Sequence, residues 1–172
     1  MTAAGIIFSN IHNETIDELT RKRTSASIPF GGRYRLIDFT LSNLVNANIT
    51  SVGVLTQKNY QSLMDHLGSG KDWDLSRRNG GVVIFPPFGN YKSGNVYGNQ
   101  LEALQGIIGF ITKCPEENII LTECDSVNTI DYTINKLTVK LILLLTSLIG
   151  WCIILTVERM NHQKKRRTPQ CV

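Results

Sequence analysis

The residues with chemical potential lie in two basic clusters, "RKR" at 21–23 and "RYR" at 33–35, and around Asp125 in "ECDSVNTIDY". Arginine and lysine neutralise phosphate charge, yet a short run of them is ordinarily a solvated face. Asp125 offers the carboxylate oxygen that a hard cation takes, and the same residue type closes loops and caps helices. Between Gly5 and Gly31 the chain has no glycine, so "IIFSNIHNETIDELTRKRTSAS" has no position where backbone N–H groups approach a phosphate unhindered. His12, His66 and His162 form no ligand spacing, and His66 reads as the polar edge of its helix. Cys114, Cys124, Cys152 and Cys171 make no CxxC pair and no His/Cys cluster at zinc spacing, which argues against metal–thiolate chemistry.

Alternating strands and helices must hold these groups. "AGIIFS" (4–9), "SVGVLT" (51–56), "VVIFPP" (82–87) and "NIILTEC" (118–124) are short apolar runs of the kind that form interior parallel strands. Ile37, Leu41, Leu44 and Val45 fall on one helical face. Asn59 is placed to cap a helix with Tyr60, Leu63, Met64 and Leu67 inward, stopped by Gly68. "NQLEALQGIIGFITK" reads as one helix with Leu101, Leu104, Ile107, Ile108 and Ile111 inward, ending before Pro115. This order predicts an α/β fold, a parallel sheet with helices on both faces. Ligands of such sheets bind beyond the carboxyl ends of the strands. That singles out the loop after Ser9, Gln57, the turn near Pro86, and Asp125.

The chain has 172 residues, 42% hydrophobic and 19% charged, which suits one globular domain with a real core. Its net charge of +4 is uneven: residues 1–136 hold 12 basic and 13 acidic groups, and residues 137–172 hold 6 and 1. A nucleic-acid module would gather basic residues in its folded body, so nucleic-acid binding is not expected. "MTAAGIIFSN" lacks the basic flank and apolar run of a signal peptide, and the expected location is cytoplasmic.

Residues 4–132 resemble the N-terminal nucleotidyltransferase domain of the glucose-1-phosphate adenylyltransferase (ADP-glucose pyrophosphorylase) family. The resemblance rests on "PFGGRYRLIDFTLSN", "VGVLTQKNYQSLMDHL", "GGVVIFPP" and "ECDSVNTIDY", in that order. It implies a Rossmann-like sheet and is strongest to the regulatory-type, GlgD-like subunit that accompanies a catalytic one. Active members carry a glycine-rich G-G-x-G-T-R-L loop and then R-A-K-P. Counted back without gaps from Pro29, the glycine positions hold Asn10, Ile11 and Asn13, the threonine position Glu14, the catalytic arginine Thr15, and the lysine Ser25. Catalytic residues are therefore expected to be absent. By the same resemblance, Lys22, Arg23 and Arg35 are candidates for a phosphorylated-sugar effector, and Gln57 for reading the nucleobase edge. Asn99 and Gln100 stand where a glycine-containing segment meets the nucleotide, a contact that Asn99 weakens. Asp125 matches the aspartate that holds Mg²⁺ in the family.

From about Lys136 the character changes. We expect a truncated nucleotidyltransferase-like domain over 1–135 and a non-family tail over 136–172, with an apolar helix at 141–157 and a basic end. Seventeen residues span ~26 Å as helix, slightly short of a ~30 Å hydrocarbon core. A shifted reading frame or truncated gene would give such a change, as would a genuine membrane segment. The expected function is a regulatory, non-catalytic subunit acting in glycogen synthesis beside a catalytic partner, with ATP, ADP-glucose or a sugar phosphate as ligand. The alternatives are an active sugar-phosphate nucleotidyltransferase and a membrane-anchored nucleotide-sugar binding domain.

Overall fold

The computed structural model describes residues 2–9, 17–77, 80–87 and 99–132, together with the backbone of 153–155. Its centre is a sheet of β1 (Ala3–Phe8), β4 (Ser51–Leu55), β5 (Gly81–Phe85), β6 (Asn118–Glu123) and β7 (Ile153–Leu155) in the order β5-β4-β1-β6-β7. The first four strands are mutually parallel. A small antiparallel pair, β2 (Pro29–Phe30) and β3 (Tyr34–Arg35), forms a hairpin across Gly31–Arg33. Gly31 and Gly32 have φ of +60° and +91°, the left-handed region that glycine enters without a Cβ penalty.

Side-chain alternation divides the core into two layers. On one face α2 (Leu36–Asn46) and α3 (Gln61–Leu67) bring Ile37, Leu41, Leu44, Leu63 and Leu67 against Ile7, Val52 and Val54. On the other, α4 (Gln100–Gly106) and α5 (Ile108–Lys113) cover Ile6, Phe8, Leu55, Ile119 and Leu121. Glycines let the helices come close. A Cβ on Gly5 would lie 2.9 Å from Leu44, and one on Gly53 would lie 3.3 Å from Phe110.

The α/β architecture and the helical face at 37–45 are as the sequence predicts, with strand limits displaced by a residue or two. Several details differ. Asn59 does not cap α3: Tyr60 holds that position, and Asn59 sits at φ +56°. Met64 is 38% exposed while Leu63 and Leu67 are buried, and α3 starts one residue later than the cap reading assumes. The expected single helix over 99–113 breaks at Ile107, whose φ of −107° and ψ of 13° are not helical. Gly106, a weak helix former, precedes the break. Ala103, Ile107, Phe110 and Ile111 then face the sheet, leaving Leu101 and Ile108 65% and 57% exposed rather than inward.

The expected apolar C-terminal helix is also corrected over its described part. Ile153–Leu155 form a strand, paired antiparallel with Ile119–Leu121 of β6. An apolar run does not distinguish strand from helix by composition, and the edge of β6 supplies backbone partners. The remainder of 141–157 lies outside the described residues. Among the described residues no helix is long and apolar enough to cross a membrane.

Candidate functional site: strand ends and a basic cleft

The register aligns Phe8 with Leu55 and Glu123, and Leu55 with Phe85, so the four parallel strands end level. Ser9 follows β1, fully buried, with its N–H donating to the Leu55 carbonyl at 2.8 Å. Its Oγ has no partner among the described residues. Gln57 is buried at the end of β4, beyond Thr56, whose Oγ1 donates to the Phe85 carbonyl at 3.0 Å. Asn99 caps α4, its Oδ1 accepting from the Glu102 N–H at 2.9 Å. Gln100 Nε2 donates to Glu123 Oε1 at 2.6 Å and ties the start of α4 to the end of β6. Gln57, Asn99, Gln100 and Asp125 are thus all set along the carboxyl edge of the sheet.

This edge offers little to a metal without a nucleotide. Asp125 is exposed, and Glu123 is already engaged by Gln100. Among the described residues no group of three His, Cys, Asp or Glu side chains is arranged to hold an ion. One free-standing carboxylate fits Mg²⁺ only where phosphates and water complete the shell. Cys124, between the two acids, is buried with its Sγ 3.4 Å from the Phe8 carbonyl. Burial pushes its thiol up, and the Asp125 and Glu123 charges add to the effect, so it is an inert packing group.

A second feature lies after the short helix α1 (Asp17–Thr20). Arg21, Lys22 and Arg23, with Glu18, Leu19, Ile28 and Pro29, line an open cleft of about 460 Å³. Three cations against one carboxylate make the cleft electropositive, although the body as a whole is not. Arg35 does not line it. Its Nη1 donates to the carbonyl of Ser62 and to Ser62 Oγ at 3.0 Å, pinning α3. Its N–H donates to Asp38 Oδ2 at 2.9 Å at the start of α2. Asp38 Oδ1 in turn meets His66 Nε2 at 2.6 Å. Of the three expected effector residues, two therefore share a cavity and the third holds helices together. Ser25, at the lysine position of the active pattern, opens a tight turn over Ser25–Ser27. The preceding positions, Asn10 to Thr15, lie outside the described residues.

The sequence marks Asn59 only as a helix cap and gives no sign of Ser62. Asn59 Nδ2 donates to the carbonyls of Thr20 and Arg21, at 3.4 and 3.3 Å. Nothing in local periodicity signals contacts to residues 38 or more positions away.

Residues 14–127 match the nucleotidyl transferase family model. The chain is 39% identical over 130 residues to the glucose-1-phosphate adenylyltransferase of Thermomicrobium roseum, covering 75% of this chain and 30% of that protein. It is 42% identical over 115 residues to the enzyme of that name from Clostridium botulinum, covering 67% and 30%. It is 51% identical over 82 residues to the glycogen biosynthesis protein GlgD of Bacillus subtilis, covering 48% and 24%. The chain spans less than a third of the length of these relatives. On the family match and the fold together, it belongs to the nucleotidyl transferase family, as a GlgD-like member among relatives named glucose-1-phosphate adenylyltransferase.

Proposed function

We propose that this chain serves glycogen biosynthesis as a regulatory, non-catalytic subunit of glucose-1-phosphate adenylyltransferase and binds a phosphorylated sugar in its basic cleft. The observation that carries the reading is the grouping of Arg21, Lys22 and Arg23 on one cavity wall while the positions that should touch transferring phosphates hold no cation. A catalytic glucose-1-phosphate adenylyltransferase subunit is the proposed partner. The cleft suits a ligand with charged phosphate and a neutral body: Leu19, Ile28 and Pro29 give contact area, and Glu18 can accept from a sugar hydroxyl. At the strand ends, Gln57 and Gln100 would contact a nucleotide. Asp125 would be the carboxylate that meets Mg²⁺, which when bound with nucleotide neutralises phosphate charge.

Calorimetric titration with a hexose bisphosphate tests the cleft. A charge-assisted contact contributes about 1.5–3 kcal/mol, so Lys22→Ala should weaken binding roughly ten- to a hundredfold. Binding that is indifferent to Lys22→Ala would return "RKR" to the solvated surface.

A further inference from the structure

We infer that Asn59 is a positioning residue of the basic cleft, holding the backbone from which Arg21, Lys22 and Arg23 project; this rests on the proposed anion site. The cations follow a helix of only four residues, Asp17–Thr20, too short to fix them by its own hydrogen bonds. The last carbonyls of a helix have no partners within it. Those of Thr20 and Arg21 receive the Asn59 amide nitrogen at 3.4 and 3.3 Å, from a loop 38 or more residues away in sequence. Asn59 reaches them because it stands at φ +56°, between the end of β4 and the start of α3, a conformation that asparagine tolerates well. The same segment is closed by a further weak turn, Arg23 N–H to Thr20 carbonyl at 3.4 Å. The Asn59 amide adds two contacts from outside this segment, tying the cationic stretch to the loop that follows β4. Asn59 itself is exposed and does not line the cavity, so it acts through the backbone it holds and not on the ligand.

Two variants separate the clamp from the fold. Asn59→Gly keeps the left-handed backbone and removes the amide. Asn59→Asp keeps the shape but sets a carboxylate against two carbonyl oxygens. The probe is inorganic pyrophosphate, titrated calorimetrically into the full chain, with Lys22→Ala as the marker of cleft binding. Both Asn59 variants should bind pyrophosphate three- to tenfold more weakly. Their thermal midpoints should stay within about 2 °C of the wild type, because an exposed side chain contributes little to global stability. Amide exchange at residues 21–23 should also quicken in both. Unchanged affinity in the Asn59 variants, with Lys22→Ala weakened, would overturn the clamp and leave the cleft standing. Wild-type binding that does not depend on Lys22 would overturn both. Affinity lost only in step with a large fall in thermal midpoint would assign Asn59 to the fold and overturn its positioning role.

Discussion

Incubated alone with ATP, Mg²⁺ and glucose 1-phosphate, the chain is expected to release no pyrophosphate above background. Phosphoryl and nucleotidyl transfer place charge on phosphate oxygens in the transition state, and preorganised cations stabilise it. The aligned arginine and lysine positions hold Thr15 and Ser25, neither of which carries charge. Glu14 adds a negative group to the same stretch of sequence, and Ile11 is a branched residue at an aligned glycine position. Losing one such donor costs about 3–4 kcal/mol, so losing two lowers the rate by roughly five orders of magnitude. The strand ends do not compensate: Glu123 is held by Gln100, Asn99 is spent on a helix cap, and Asp125 stands exposed. Coupled pyrophosphate detection over several hours checks this. Sustained turnover abolished by Asp125→Ala would mean that the chain is itself an enzyme.

The second large effect is on stability. Gly81 opens β5 at φ +90°, and a Cβ there would lie 2.5 Å from the Leu75 carbonyl oxygen. That oxygen is not free to retreat, since it accepts the Val82 N–H at 3.2 Å. Backbone strain and a backbone clash combine, so Gly81→Ala should cost about 3 kcal/mol or more. Gly32 has nearly the same φ, +91°, but nothing within 4 Å of its Cβ position. Gly32→Ala should cost only about 1–2 kcal/mol, the strain alone. Urea unfolding of the two variants side by side measures the difference. Equal costs would show that the contact with Leu75 does not constrain β5.

How far the sequence reveals this fold follows from how each element is stabilised. Parallel strands buried on both faces need continuous apolar runs, and "IIF", "VGVL" and "NIIL" declare themselves that way, as does "VVIF" of the partly buried edge strand β5. Ile37, Leu41 and Leu44 are legible for the same reason, as a helix with one buried face. Leu101 and Ile108 are misread because the buried stripe runs through Ala103, Leu104, Ile107, Phe110 and Ile111, and hydrophobicity alone favours Leu101 over the small Ala103. Asn59 is misread as a cap because asparagine serves equally at caps and in left-handed loops, and only the fold shows which. The run around Ile153–Leu155 is apolar enough for helix or strand, and β6 decides it locally by offering an edge. For the candidate site, "RKR" is contiguous, so its grouping is visible in one dimension. The departure of Arg35 to Ser62 depends on the packing of α2 against α3, which spacing does not encode.

On the proposed function the scaffold regulates rather than catalyses. The most direct measurement is to co-express the chain with a catalytic glucose-1-phosphate adenylyltransferase, purify the assembly, and titrate a hexose bisphosphate against ADP-glucose formation. The same titration is repeated with Lys22→Ala in this chain alone, leaving the catalytic subunit untouched. The wild-type chain should shift the activation curve of its partner, and Lys22→Ala should move the midpoint roughly tenfold towards higher effector concentration, as the loss of about 1.4 kcal/mol requires. Activation curves that coincide with and without the chain, or with either residue at position 22, would contradict the proposed function.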